Sequence, residues 1–374
     1  MFVSLRLEKR LRPSRAAAIL VPILSIVLAL VVAGALLALV GAHPWEAYKA
    51  MLLGALGGRY NVSETLVKAI PLMLTGLAVS VAFRMQFWNI GAEGQLVMGG
   101  FAAAGVALFF PELFPGFPEW ALLPTMFVAA FAMGAIWGLI PAALKAFLGV
   151  NEIITSLMLN YVAILWVEYL FVGPWKDPQG FGFPGTAQFP KAAWLPRLTG
   201  RVHLGLIIAL VAAVVLWLLL TRTRWGYEVR VIGENARAAR YAGISLATNI
   251  LLVMVLSGGL AGLAGFGEVA GISHRLQKGL SVGYGYTAII VAWLARLNPW
   301  GVILVAALLA ALLVGGDQLQ MTMGLPAAVA LVLQGLIFFF VLGGNVFTQY
   351  RLRVVRRPSA MVAPVRERPE MEQA

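Results

Sequence analysis

Long apolar runs alternate with short polar, glycine-rich or proline-rich segments along most of this chain. Several runs approach or exceed the roughly 20 apolar residues that are needed to cross a hydrocarbon core of about 30 Å. The pattern predicts an all-α polytopic membrane protein with about ten transmembrane helices. We place the spans at about residues 16–40, 62–83, 95–110, 121–148, 152–172, 202–220, 246–268, 285–295, 300–319 and 326–342.

The remaining segments divide the chain around this transmembrane domain, which we take as residues 16–345. Residues 1–15 form a basic N-terminus, and residues 346–374 form a basic, then Pro- and Glu-rich tail that we expect to be disordered. Residues 43–58 are too short and polar to cross and suit an interfacial helix. The eighth span is short, so it either begins earlier or is broken.

Composition supports the membrane class and orients the chain. Hydrophobic residues make up 61% of the sequence and charged residues only 12%, against roughly 25% charged residues in soluble domains. The net charge of +12 comes mainly from loops and tails beside apolar runs, which is the positive-inside pattern rather than a nucleic-acid-binding surface. We expect a multi-pass protein of the plasma or inner membrane, with an uncleaved first span and both termini in the cytoplasm.

Several chemistries have no support in the sequence. The chain has no cysteine, so a disulfide or thiol nucleophile is excluded, and its three histidines lie far apart, so we expect no metal site. No nucleophile–base pair suggests an enzyme. No P-loop is present either, so the energy for any transport must come from a partner that binds ATP and Mg or from an ion gradient.

The segment Phe87–Gln95 places Asn89, Glu93 and Gln95 among glycines between two spans. A carboxylate at membrane depth is costly and normally faces protein or a cavity. A loosened, polar segment of this kind suits a solute pathway. A tight turn whose polar groups meet lipid headgroups is the other interpretation that the spacing allows.

Charge within the spans is expected to be sparse. We attribute it to Glu93, Glu268 and Asp317 alone and expect no Lys or Arg in mid-span, which favours a neutral or weakly polar solute. An ion-coupled secondary transporter that uses these three carboxylates is the alternative.

Two short stretches, Leu74–Phe83 and Leu256–Phe266, resemble each other. In a ten-span topology they enter the bilayer from opposite sides. This arrangement predicts an inverted repeat that relates spans two to five and spans seven to ten, with a pathway at their interface. Within the second stretch, the spacing Gly258-x-x-x-Gly262 favours close packing between helices.

Residues 221–245 contain a second informative segment. Asn235 or Gly233 can cap a short helix over Ala236–Ala242, Glu234 suits its positive end, and Gly243 can end it. Arg237 and Arg240 then share one face. A rigid element of this kind can dock a cytoplasmic partner, whereas the arginines alone could also serve only to anchor topology.

Aromatic residues within or near the spans allow two interpretations. Trp88, Trp166, Trp293 and Tyr286 can stack a sugar or purine, or they can anchor helices at the membrane interface.

Four stretches in this order resemble the permease family of ABC importers for ribose-type sugars and nucleosides, in particular its purine-nucleoside branch. They are Asn89–Gln95, Asn151–Tyr161, Gly233–Ile244 and Ser281–Pro299, and the resemblance covers about residues 60–345. Family members commonly carry an acidic residue where this chain has Thr287. If that acid contacts solute, this subunit contributes less to binding or takes a different solute.

The resemblance implies the function and the partners of the chain. The permease would receive a nucleoside or simple sugar from an external binding protein, pair with a second and different permease chain, and be driven by a cytoplasmic ATPase with two nucleotide domains in one polypeptide. The matching stretches supply the pathway candidates Asn89, Glu93, Gln95, Asn160 and Tyr286. The coupling candidates that they supply are Glu234, Asn235, Arg237, Arg240, Tyr241 and Gly243.

Overall fold

A computed structural model describes residues 2–9, 15–180, 182–326 and 328–357. Within these ranges the chain forms thirteen α-helices and four short strands. The helices are α1 (Arg15–Leu39), α2 (Pro44–Leu56), α3 (Arg59–Arg84), α4 (Ala92–Leu113), α5 (Glu119–Leu148), α6 (Glu152–Val172), α7 (Gly205–Arg222), α8 (Arg224–Glu234), α9 (Ala236–Tyr241), α10 (Leu246–Glu268), α11 (Tyr284–Leu294), α12 (Pro299–Met323) and α13 (Ala328–Gln349). The strands are β1 (Phe2–Lys9), β2 (Arg197–Thr199), β3 (Val202–His203) and β4 (Tyr350–Arg357).

Each predicted span coincides with one helix, and the all-α polytopic membrane class is confirmed. Seven helices of the described ranges are individually long and apolar enough to cross a membrane, or up to eight spans if one bent pair counts as a single crossing. Two more helical stretches, Tyr284–Leu294 and Leu331–Gly344, are apolar but shorter. The broken form expected for span eight corresponds to α11, which has only 11 residues. Ten full crossings remain a prediction.

The chain divides into two compact units, one of residues 1–33 and 335–374 and the other of residues 34–334. In the first unit, β1 pairs antiparallel with β4, with Leu5 opposite Val354 and Leu7 opposite Leu352. The expectation of a disordered tail is therefore wrong for residues 350–357. Both segments alternate apolar and polar residues, a period-two pattern that favours strands and that the basic composition concealed. The rest of the predicted tail, residues 358–374, lies outside the described residues.

In the second unit, the first helix of each predicted repeat packs into the other repeat. Helix α3 lies against α11 and α12, while α10 lies against α4 and α5. This exchange is the reciprocal arrangement that an internal two-fold axis would produce, and it agrees with the predicted inverted repeat.

Glycines allow the close approach of α4, α5 and α10. A Cβ at Gly262 would overlap the Ala130 carbonyl oxygen, and a Cβ at Gly99 would overlap the backbone of Gly262. Gly258 meets Gly134 in the same way. The predicted small-residue spacing is thus used within the chain, where backbones approach with almost no side chain between them.

The long loop after α6 is fixed to the segment that follows α10. The backbone N–H groups of Thr186, Phe189 and Leu195 donate to the carbonyl oxygens of residues 276, 274 and 270, at 2.9, 2.8 and 2.9 Å. The Trp194 ring stacks on His274 with the ring centroids 3.9 Å apart. The predicted external face is therefore built from two loops that support each other.

His203 is buried where this loop enters α7. Its Nδ1 accepts a hydrogen bond from the Gly205 backbone N–H at 3.2 Å, and a Cβ on Gly271 would lie 2.7 Å from its ring. Burial, with a smaller contribution from the neighbouring His274, lowers the pKa of His203 to about 4. The folded protein therefore holds this imidazole neutral over a range in which the unfolded chain would protonate it.

This burial predicts a pH dependence of stability. The unfolded state binds the additional proton between about pH 6.5 and about pH 4, so His203 stabilises the fold above this window and the contribution is lost as pH falls through it, by on the order of 3 kcal/mol. Thermal unfolding in detergent should show a smaller decrease of Tm with falling pH for His203→Asn than for the parent chain. Identical pH profiles would contradict the prediction.

Candidate functional site

Two helices begin next to each other inside the protein. The irregular segment Met85–Gly91 leads into α4, and α11 starts at Tyr284 after a glycine-rich loop. Glu93, in the first turn of α4, is only 3% exposed. Its Oε1 accepts from the Gly283 backbone N–H at 3.2 Å, and its Oε2 accepts from the Gly285 N–H at 2.7 Å. The carboxylate therefore caps α11, where the free N–H groups and the helix dipole favour negative charge.

Gly285 is required for this contact. A Cβ at this position would overlap the backbone nitrogen of Glu93. The two helix starts can approach within hydrogen-bond distance only because residue 285 has no side chain.

A pair of side-chain amides fixes the irregular segment. Asn89 Nδ2 donates to Gln95 Oε1 at 3.0 Å and to Ser257 Oγ at 3.0 Å, while Gln95 Nε2 donates back to Asn89 Oδ1 at 3.2 Å. Ser257 Oγ donates to the Ala78 carbonyl oxygen at 2.7 Å. These bonds tie the segment to α10 and α3, so its backbone is held by protein rather than by water.

Asn160 connects the same segment to α6 and α11. Its Oδ1 accepts from the Gly94 N–H at 2.8 Å. Its Nδ2 donates to the Ile90 carbonyl oxygen at 2.9 Å and to Tyr286 Oη at 3.3 Å. One amide thus contacts the irregular segment, the start of α4 and the start of α11.

The structure therefore brings all five pathway candidates to the adjoining starts of α4 and α11, where Asn89 pairs with Gln95, Asn160 pairs with Tyr286, and Glu93 binds backbone N–H groups. Asn89, Glu93, Gln95 and Asn160 are buried, so the interpretation as a turn among headgroups is not supported. They satisfy one another and nearby backbone groups, and only Tyr286 has substantial exposed surface. That these residues line the solute pathway remains a prediction.

Two serines also form hydrogen bonds in this region and were missed from the sequence. Ser257 joins the amide pair to α3, and Ser156 Oγ accepts from the Ile90 N–H at 3.2 Å. Ser257 lies directly before Gly258 in the stretch Leu256–Phe266, which suggested the inverted repeat. This position was the only sign in the sequence that Ser257 has a role.

The expected distribution of charge is wrong. Lys68 lies inside α3 and forms an ion pair with Asp317 of α12, and Glu168 lies inside α6. A membrane-spanning helix tolerates a charged side chain that pairs with an opposite charge or reaches the membrane interface. The high hydropathy of α3 and α6 therefore does not exclude Lys68 or Glu168 from these spans. Of the carboxylates proposed for ion coupling, Asp317 is neutralised by Lys68, and Glu93 binds backbone N–H groups. Glu268 has a buried Oε1 without a hydrogen-bond partner among the described residues.

The aromatic residues fill space between helices. Trp88 stacks on Trp293 with the ring centroids 5.9 Å apart and an interplanar angle of 19°, and Phe83 packs edge-on against both rings. This cluster joins the end of α3, the irregular segment and α11. Trp166, by contrast, lies exposed beside Tyr169 on α6.

The short helix predicted after Asn235 is present as α9, and its role in coupling remains a prediction. Asn235 Oδ1 accepts from the backbone N–H groups of Arg237 and Ala238, each at 3.0 Å, and Gly243 follows in the left-handed region with φ = 77°. Both the cap and the stop are therefore confirmed. Glu234 ends α8 instead of beginning α9, since residues 224–234 form a helix that the sequence did not reveal.

One face of α9 is exposed on the surface of its unit. Arg237 and Arg240 are exposed, and Tyr241 is 95% exposed, while Ala239 is buried against the body of the unit.

Among the described residues, no cluster of three or more His, Asp or Glu side chains could hold a metal ion.

Comparison with known proteins identifies the class. Residues 61–342 match the family described as branched-chain amino acid transport system / permease component. The chain is 39% identical over 366 residues to the glucose ABC transporter permease protein TsgB13 of Haloferax volcanii, covering 95% of each chain. It is 37% identical over 328 residues to the guanosine ABC transporter permease protein NupP of Bacillus subtilis, covering 86% of this chain and 92% of NupP. Among solved structures, it aligns with PsaBC from Streptococcus pneumoniae at a TM-score of 0.43 and 14% identity, covering 79% of this chain and 94% of that one.

The chain belongs to this family of transport-system permeases. The resemblance to ABC permeases for sugars and nucleosides is thereby confirmed, and the ion-coupled alternative is not favoured.

Substitutions at Glu93 test the contact between α4 and α11. Glu93→Gln keeps one acceptor oxygen and loses the second, whereas Glu93→Leu leaves both N–H groups without a partner at about 1–3 kcal/mol each. We expect Tm in detergent to fall in the order parent, Gln, Leu. The exposed carboxylate Glu112 provides a control, because Glu112→Leu should leave Tm close to the parent value. Equal Tm values for Glu93→Leu and the parent would contradict the prediction.

Proposed function

We propose that this chain is the transmembrane permease subunit of an ATP-driven importer that moves a nucleoside or simple sugar into the cytoplasm. The single observation that carries this proposal is α9, a capped and exposed helix between two spans. Topology anchoring needs only the positive charges, whereas a rigid helix with Arg237, Arg240 and Tyr241 on its open face suits a protein partner. The likeness of the whole chain to the permease named for guanosine supports the nucleoside class. Its likeness to the permease named for glucose supports the sugar class.

The proposed partners follow from the same assignment. A cytoplasmic ATPase with two nucleotide domains in one polypeptide binds ATP and Mg and contacts α9. A second permease chain completes the pathway, and an external binding protein delivers the solute. Both termini then lie in the cytoplasm, in agreement with the positive-inside pattern.

Charge pairing inside the spans supports a solute of low charge. Lys68 is paired with Asp317, and Lys145 is paired with Glu152 at 2.7 Å. Because both cations are already paired, neither offers a free positive charge to an anionic substrate. Such a substrate would lose its hydration without a compensating charge, which has a high desolvation cost. The partly exposed Tyr286 then offers an aromatic ring and a hydroxyl group to a neutral molecule.

Charge reversal on α9 tests the coupling role. In proteoliposomes that contain the complete transporter, Arg237→Glu combined with Arg240→Glu should lower ATP-dependent uptake by about tenfold or more, because a surface complementary to arginine repels the introduced carboxylates. The matched variant Arg237→Lys with Arg240→Lys keeps the charges and should retain most of the uptake. Wild-type uptake by the Glu variant, with its ATPase bound, would contradict the assignment.

Competition uptake tests the solute class and the source of energy. Labelled nucleoside uptake should be inhibited by unlabelled nucleosides or sugars, should require ATP, and should persist when an ionophore collapses ion gradients. Inhibition by branched amino acids alone would contradict the solute class. Uptake abolished by the ionophore but independent of ATP would instead support the ion-coupled alternative.

A further inference from the structure

Arg84 ends α3 and reaches the turn between α11 and α12. Its Nε and Nη2 both donate to the Leu297 carbonyl oxygen, at 3.2 and 2.9 Å. Arg84 forms no ion pair with a carboxylate among the described residues. The cation instead lies at the carbonyl end of α11, where the helix dipole favours positive charge.

The turn that Arg84 holds has an uncommon backbone conformation. Arg296 and Leu297 adopt left-handed φ values of 51° and 57°. Residues other than glycine rarely adopt left-handed φ values, and two such residues in succession persist only where the surrounding structure holds them. A charge-assisted, forked hydrogen bond to the carbonyl of the second residue is such a support.

The backbone of Arg84 meets the segment that leads to α9. A Cβ on Gly233, near the end of α8, would overlap the Arg84 carbonyl oxygen. The end of α8 thus lies directly on the end of α3, and Asn235, which caps α9, follows two residues later. The end of α3 is therefore in direct backbone contact with the segment that carries α9.

Helix α11 is held at both of its ends. Arg84 binds the turn at its C-terminus, and Glu93 caps its N-terminus. The stacked Trp88 and Trp293 rings add a side contact. With 11 residues, about 16 Å in length, α11 is short enough to move as one rigid piece.

We propose that Arg84 is a positioning residue that links the α8–α9 coupling segment to α11. Through this link, movement of α9 reaches Glu93 and Tyr286, which lie at the opposite end of α11. The inference rests on the proposed function, because it requires an ATPase that moves α9. In the absence of the Arg84 guanidinium, the turn after α11 loses its charged hydrogen bonds to the end of α3, while the apolar contact between Phe83 and Trp293 remains there. Hydrolysis then proceeds without productive movement of α11.

The test compares transport with hydrolysis in the complete reconstituted transporter. Arg84→Gln should assemble and hydrolyse ATP within about twofold of wild type, while uptake per ATP falls by about tenfold, as expected for loss of a charged hydrogen bond. Arg84→Lys keeps one donor and the charge, and should give an intermediate ratio. The control Arg59→Gln removes the same charge from the exposed opposite end of α3 and should keep the wild-type ratio.

Distance measurements provide a readout that a purely structural role would not change. The chain has no cysteine, so in a transporter whose other subunits are also made cysteine-free, spin labels introduced by Val282→Cys, just before α11, and Trp120→Cys, at the start of α5, report only these positions. In the wild-type background the distance should change on ATP binding, and in Arg84→Gln this change should be lost.

The outcomes are distinguishable. Wild-type uptake per ATP in Arg84→Gln, or an equal fall of hydrolysis and uptake with the label movement retained, would overturn the inference. If Arg84→Gln does not assemble, the ratio measured for Arg84→Lys decides, and a wild-type value overturns the inference. Absence of ATP-driven uptake in the wild-type transporter would overturn the proposed function itself, and this inference with it.

Discussion

The carboxylate of Glu93 binds backbone N–H groups at the start of a helix that begins inside a membrane protein. The first N–H groups of a helix have no intrahelical partners, and at membrane depth they cannot rely on water. Here α4 provides the acceptor for α11, and the two oxygens of one buried side chain bind two of these N–H groups. A start of α11 in the interior is tolerated because another broken segment of the same chain satisfies it.

The other packing features maintain the position of this contact. The amide pair of Asn89 and Gln95 fixes the irregular segment before α4, and Asn160 holds the start of α4 against α6. Glycines then allow α4 and α5 to approach α10 with their backbones in close contact. Since polar side chains specify the orientation and small residues allow the approach, neither set alone would produce the arrangement.

The sequence contains the local information in this structure but only part of the long-range information. Apolar runs located the ten helical segments, and the Asn235 cap and the Gly243 stop were readable because both depend on neighbouring residues. The partners of Glu93 lie 190 and 192 residues away, and Lys68 is 249 residues from Asp317. Such pairs are decided by how helices pack, and neither periodicity nor spacing encodes that packing in one sequence. The β1–β4 pair and α8 were not predicted because charged residues interrupt their apolar positions, so neither segment resembles the long apolar runs that indicate spans.

The contact between Glu93 and α11 has a consequence for how solute preference can diverge. Glu93 binds backbone N–H groups at two positions that favour glycine: Gly285, where a Cβ would overlap the Glu93 backbone, and Gly283, whose φ is 89°. Neighbouring positions on α11, such as Tyr286 and Thr287, are half-buried, and their side-chain hydrogen bonds come from Asn160 and Gln334. Their side chains can therefore be exchanged during evolution without dismantling the joint. Under the proposed pathway, architecture and selectivity are carried by different atoms of the same helix turn, the main chain for one and the side chains for the other.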